Sequence, residues 1–298
     1  MSTQVQHVSF PTAGYGFVFL AAISWSLMTF FAKGMLASGL SPLEISFWRA
    51  SIGGVFFIAT ATSTRALWIP PGRALLFILW GMLSVGGLFF VLLTSMQYSG
   101  AAMGVTLLYT APIWVAIFSK FVSREDVSRQ KWLAILLALI GVILICFSGG
   151  SLQSGFSVTG VLCGLASGFC YALQYPFFKH WQKYQRTETI YAYMNVGGVL
   201  VLLPFVHFNT PYVPQIWPVI VLMAFFTGFL GFWAYGQGMK HLPQVHVAVL
   251  CNLEPILGTV WACAFFDENF TPPGWVGFAL ILTAILMLAT ERRKQHAW

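Results

Sequence analysis

Ten stretches of roughly 20 mostly apolar residues, each long enough to cross ~30 Å of hydrocarbon as a helix, follow one another along the chain with only short connections between them. They cover Gly14–Lys33, Leu43–Thr62, Arg73–Gln97, Ala101–Phe121 and Arg129–Ser148, then Phe156–Lys179, Glu188–His207, Trp217–Gly238, Pro243–Phe265 and Pro273–Thr290. Helix breakers punctuate the joins: Ser41-Pro42, Pro70-Pro71-Gly72, Gly149-Gly150, Pro211 with Pro214, and Pro272-Pro273-Gly274. No join can hold a separate soluble domain. Composition agrees, with 58% hydrophobic and 8% charged residues, against roughly 25% charged in a soluble domain. A bilayer removes the need to solvate such a surface. The expected fold is an all-α integral membrane protein of ten transmembrane helices.

The net charge of +7 would suggest nucleic acid in a soluble protein. Here the basic residues lie at the ends of apolar runs, so topology explains them and nucleic-acid binding is set aside. With ten spans both termini share a side. Arg65, Arg73, Lys120, Arg124, Arg129, Lys131, Lys179, Lys183, Arg186, Lys240, Arg292, Arg293 and Lys294 fall on it, and Lys33 faces the other. That asymmetry places both termini in the cytoplasm. Met1–Pro11 has no Lys or Arg and lacks the pattern of a cleaved leader, so the first helix is expected to stay. Cys146, Cys163, Cys170, Cys251 and Cys263 lie in apolar runs without metal-ligand spacing and read as buried thiols.

The chain also resembles itself. Leu107–Ile113 (LLYTAPI) resembles Leu250–Ile256 (LCNLEPI), with Pro112 and Pro255 separated by 143 positions. The same shift carries Glu125 onto Glu268 and Trp132 onto Trp275, and Glu44 with Gly53-Gly54 matches Glu188 with Gly197-Gly198. The expected halves are residues 1–150 and 151–298. Each has five spans, an odd number, so the second enters the membrane from the opposite side. Inverted repeats of this kind place a solute near the midplane and support alternating access.

Tyr109-Thr110-Ala111-Pro112, then Glu125, Trp132 and Gly141, resembles the signature of the EamA family in the drug/metabolite transporter superfamily. Leu253-Glu254-Pro255, Asp267-Glu268 and Gly277 look like a second copy, and Pro42 with Arg49 is similar to that family's second helix. Ser123-Arg124-Glu125 departs from the Leu-Gly-Glu type of turn usual there. The resemblance implies an inner-membrane carrier without a fixed cofactor, often an exporter of amino acids or other metabolites. Some such carriers export aromatic amino acids.

Candidate working residues follow from polarity inside the runs. Pro112 and Pro255 sit near mid-run, where a proline removes a backbone donor and frees a carbonyl; they read as paired gating breaks or as tolerated kinks. Glu254 lies deep in the ninth run, where a carboxylate costs ~2.5–3.5 kcal/mol on insertion scales and must face the bundle interior. It reads as a proton-coupling or substrate-ammonium site, or as a cap on the broken helix. Arg49 snorkels outward, pairs with Glu44, or binds a carboxylate bidentately. Trp25, Tyr98, Tyr109, Trp114, Tyr171, Gln174, Tyr175, Tyr193, Asn195, Trp233, Tyr235, Gln237 and Asn252 are candidates to line a cavity suited to an amphipathic or aromatic solute. Gly160, Gly164 and Gly168 form a small-residue ridge expected to pack within the monomer; monomer and homodimer both stay open.

The resulting expectation is a secondary transporter of a small-molecule solute, with no enzyme activity and no metal. No Walker-type phosphate loop is present. A facilitator for the same solutes is the nearest alternative. A membrane enzyme on lipid-linked substrate would need clustered acids or His, which eight scattered acids do not supply.

Overall fold

The computed structural model describes residues 11–122, 127–148, 157–209, 214–266 and 272–295. Among these residues every regular element is helical and there is no strand. α1 is Pro11–Ala37, α2 Pro42–Ser63 and α3 Pro71–Ser99. α4 comes in two pieces, Ala101–Leu108 and Ala111–Phe121, and α5 is Arg129–Ser148. α6 is Val158–Trp181, α7 Thr187–Leu202 and α8 Pro214–His241. α9 is again in two pieces, Gln244–Cys251 and Leu253–Phe266, and α10 is Pro272–Gln295. Glu125, Asp267, Glu268 and the division between residues 150 and 151 lie outside the described residues.

Among the described residues, seven helices are long and apolar enough to cross a membrane: α1 from Thr12, α2, α3, Met103–Phe121, α6, Thr187–Phe205 and α8. α9 lies outside that set; its two pieces have 8 and 14 residues. The apolar part of α10 is Pro272–Leu288.

Local chemistry sets the ends. Ser41 caps α2 by accepting the Glu44 N–H at 3.1 Å, with Pro42 in the first turn. The helix breaks differ from the sequence expectation. The chain turns at Tyr109–Thr110 and at Asn252, ahead of Pro112 and Pro255. Each proline sits in the first turn of the following piece, where its missing N–H forfeits no hydrogen bond and its fixed φ suits the helix. The prolines start helices and do not kink them.

Two further irregularities had no counterpart in the sequence reading. π-helical turns occupy Met82–Gly87 in α3 and Ala224–Leu230 in α8. In each, a hydroxyl bonds back to the carbonyl four residues earlier: Ser84 Oγ to Trp80 O at 2.8 Å and Thr227 Oγ1 to Met223 O at 2.9 Å. Such back-bonding loosens and bends a helix. Glycines follow within a turn, Gly86-Gly87 and Gly228 with Gly231.

Helix contacts cross between the amino- and carboxy-terminal parts of the chain. α1 packs on α8 and α9, while α6 packs on α3 and α4; α2 packs on α8, while α7 packs on α3. The Gly160, Gly164 and Gly168 ridge meets Ser99, Leu107 and Thr110 of the same chain, as expected, and Ser95 Oγ donates to Gly160 O at 2.7 Å. α5 and α10 cross at Gly141 and Gly277, where a Cβ on either would lie 2.6 or 2.5 Å from the other's carbonyl oxygen. Gly277→Val should therefore lower the apparent Tm in detergent, through an overpacking penalty of ~1–3 kcal/mol. Gly16→Ala, which meets no atom within 4 Å, should leave Tm unchanged or slightly raised. Equal losses in both variants would contradict the crossing.

Candidate solute site

Glu254 is the second residue of the second piece of α9, directly beyond the Asn252 turn. A carboxylate in a first turn complements the partial positive charge of a helix start. Tyr109, in the turn that divides α4, donates its hydroxyl to this carboxylate. The two helix breaks therefore meet at one acid. The Arg49 guanidinium of α2 is its electrostatic partner. Arg49 also donates from Nε and Nη2 to the Thr227 carbonyl, at 3.3 and 3.0 Å. Its Cζ lies 5.4 Å from the ring centres of both Phe89 and Phe232, an arrangement that favours a cation in a poorly hydrated place. Arg49 does not pair with Glu44. Both Glu44 oxygens instead accept the Asn209 backbone N–H, each at 3.0 Å, because five positions along a helix turn the two side chains apart.

Arg49, Glu254 and Tyr171 are each half-buried. A water-sized space therefore reaches all three side chains. Aromatic rings continue the wall: Trp25 meets Phe232 at 5.1 Å, Tyr235 at 5.7 Å and Tyr171 at 6.5 Å. Tyr175 joins Tyr171 to Tyr235 at 5.7 and 5.3 Å. Trp25 Nε1, Tyr235 OH and Asn252 Nδ2 are buried and have no hydrogen-bond partner. Trp25 Nε1 and Asn252 Nδ2 can only donate, so acceptors on a bound solute would suit them.

The structure thus brings Trp25, Arg49, Tyr109, Tyr171, Tyr175, Tyr235 and Glu254 together, with Asn252 at the adjoining break. Gln174 lies one layer out, donating to Ser84 O at 2.8 Å and accepting from Tyr191 OH at 3.4 Å. Six candidates do not join them. Tyr98 is 53% exposed near the end of α3. Trp114 packs edge-on against Phe169 at 5.4 Å. Tyr193 OH donates to Leu67 O at 3.0 Å, and Trp233 Nε1 donates to Glu188 at 2.8 Å. Asn195 Nδ2 bonds its own helix at Tyr191 O, and Gln237 accepts from exposed Lys240. Polarity within a run says nothing about which face of the helix carries it. Sequence reasoning missed Phe89, Phe232 and the Thr227 carbonyl, which carry no polar side-chain signal. An apolar hollow of about 470 Å³ lined by Ile113, Trp132, Leu133, Ile135, Leu136 and Leu139 lies elsewhere, between α4 and α5, and offers no polar group. Among the described residues no His, Cys, Asp and Glu cluster could hold a metal ion, and Cys163, Cys170 and Cys251 are free thiols.

The family model for EamA-like transporters matches residues 12–147 and, a second time, residues 158–290. The chain belongs to the EamA-like transporter family. A Bacillus subtilis (strain 168) protein named uncharacterized transporter YwfM is 23% identical over 287 residues, 94% of each chain. An Archaeoglobus fulgidus protein, also named an uncharacterized transporter, is 25% identical over 282 residues, 93% of this chain and 97% of its own. A Salmonella typhimurium (strain LT2) protein named uncharacterized inner membrane transporter YicL is 25% identical over 217 residues, 68% of this chain and 69% of its own. One crystal structure matches with a TM-score of 0.82 over 96% of this chain and 99% of that one, at 18% identity. At that identity the likeness is one of fold alone.

In this EamA-like chain the Arg49–Glu254 interaction is open to a stability test. Removing one partner leaves an interior charge uncompensated, whereas replacing both with apolar residues is close to neutral. Arg49→Leu and Glu254→Leu should each lower the apparent Tm more than the double variant does. Additive losses would mean that the two groups do not interact.

Proposed function

We propose that the chain is a secondary transporter of small zwitterionic metabolites, amino acids with apolar or aromatic side chains foremost, exporting them across the inner membrane by alternating access. One observation carries this reading: a guanidinium and a carboxylate, from α2 and α9, interact where two helix breaks meet. Arg49 offers a planar fork for the solute carboxylate, and Glu254 offers a counter-charge for its ammonium. The rings of Trp25, Tyr171 and Tyr235 offer an apolar wall for its side chain. Empty, the two charges offset each other; loaded, a zwitterion takes the place of each partner.

Alternating access rests on two inverted five-helix halves, 1–150 and 151–298, with ten spans and cytoplasmic termini. Several features support that arrangement. Element starts recur at the 143-position offset of Pro112 and Pro255: Pro71 and Pro214, Ala101 and Gln244, Arg129 and Pro272. The crossed contacts come in matched pairs, α1 on α8 against α6 on α3, and α2 on α8 against α7 on α3. The family model matches twice in succession, and one relative is named an inner membrane transporter. Export as the direction comes from the family resemblance.

Purified protein in proteoliposomes tests the proposal. Labelled L-phenylalanine should show saturable counterflow, stimulated by a pH gradient. Arg49→Lys, which loses the bidentate fork, should raise KM by about 10- to 100-fold, the worth of one charge-assisted hydrogen bond. Glu254→Gln should abolish the response to the pH gradient. Full transport with intact pH dependence in Glu254→Gln would remove the coupling role and leave a facilitator. Absence of amino-acid counterflow in the unaltered protein would remove the cargo assignment.

A further inference from the structure

The two π-helical turns match in more than position. In α3, the Leu88 N–H that closes the turn bonds Leu83 O and Val85 O and skips Ser84 O. In α8, the closing Gly231 N–H bonds Phe226 O and skips Thr227 O. Ser84 and Thr227 are separated by the same 143 positions as Pro112 and Pro255, and both carry the hydroxyl that bonds back one turn. Each skipped carbonyl is taken by a long side chain from another helix: Gln174 Nε2 of α6 reaches Ser84 O at 2.8 Å, and Arg49 Nε and Nη2 of α2 reach Thr227 O at 3.3 and 3.0 Å. A carbonyl left open in a bundle interior away from water is costly, and a fixed donor beside it holds the irregular turn in place. The two clamps are also neighbours. Tyr191, whose hydroxyl bonds Gln174, lies 5.0 Å from the ring of Phe232, which in turn lies under the Arg49 guanidinium.

We propose that Gln174 and Arg49 are matched positioning residues, each clamping the carbonyl that a π-helical turn leaves open, and that a solute carboxylate releases the Arg49 clamp by drawing the guanidinium off Thr227. The two clamps then have different roles. Gln174 is uncharged, points at no solute group and holds α3 throughout. With Glu254 taken up by the solute ammonium, Arg49 has two acceptors to choose between, the Thr227 carbonyl and the solute carboxylate, and a guanidinium binds the ionised one more strongly. Loading the site therefore frees Thr227 O and loosens α8 at its π turn, where α8 presses on α2: a Cβ on Gly228 would lie 2.7 Å from Arg49 O. In this way solute binding is converted into a change of bend in one helix only. This last step rests on the reading of Arg49 as a carboxylate site.

Hydrogen–deuterium exchange of the full chain in nanodiscs tests both parts. Gln174→Met, similar in length but without a donor, should raise exchange in Met82–Gly87 about fivefold, the worth of one hydrogen bond, and leave Ala224–Leu230 unchanged. It should also leave the KM for L-phenylalanine unchanged. A merely structural Gln174 would loosen both turns or neither, and either result overturns the clamp assignment. Adding L-phenylalanine to the unaltered protein should raise exchange in Ala224–Leu230 and not in Met82–Gly87. L-Phenylalanine counterflow without that rise overturns the release step while the transport reading stands. If counterflow is absent but Gln174→Met loosens its own turn selectively, the clamps stand, and both the cargo and its release of Arg49 fall.

Discussion

A carbonyl or amide inside a bilayer has no water to bond to, and each one left open by a helix must find a partner in the protein. Regular helices meet this requirement on their own, and most of the chain is regular. Among the described residues the most informative departures from regularity are the breaks in α4 and α9 and the π turns in α3 and α8. At the breaks, prolines in the following first turns lower the number of donors left over. At the π turns, Gln174 and Arg49 supply the missing donors from outside. In both cases a defect that would be costly against lipid lies instead against another helix.

Close contact between helices is what allows these partners to reach. Gly228 lets α8 approach the Arg49 backbone, and Gly197 lets α7 approach α3 beside Met82. With bulkier residues there the axes would separate, and the side chains that bridge to open carbonyls would fall short. Small residues and irregular turns are thus one arrangement.

Much of the fold was legible in the sequence because hydropathy is a long-range average. The run Ala101–Phe121 matches the extent of α4, and Arg129–Ser148 coincides with α5. The first run was read short, starting at Gly14 where α1 starts at Pro11, since polar residues at a helix end still make its hydrogen bonds. The breaks were displaced because proline marks where a helix can begin and was read as marking where one fails. Glu254 was visible as a lone acid in an apolar run. Tyr98 and Trp233 were misplaced because composition carries no information on azimuth. The clamps had a faint signature, a hydroxyl followed within a turn by glycine in Ser84–Gly87 and Thr227–Gly231. Their partners could not be read at all, because a backbone carbonyl is the same at every position.

The same reasoning explains why a charge pair sits where it does. Glu254 next to a helix start and Arg49 on an open carbonyl would each be served, in part, without the other. Arg49 has neighbours of three kinds, a carbonyl, a carboxylate and two rings, and needs none of them exclusively. A group held by several moderate contacts can exchange one for a ligand at small net cost, whereas a group locked in a single strong ion pair cannot. For a carrier, which must release its solute as readily as it takes it, divided attachment is the more useful chemistry, and the π turn in α8 is the feature that provides it.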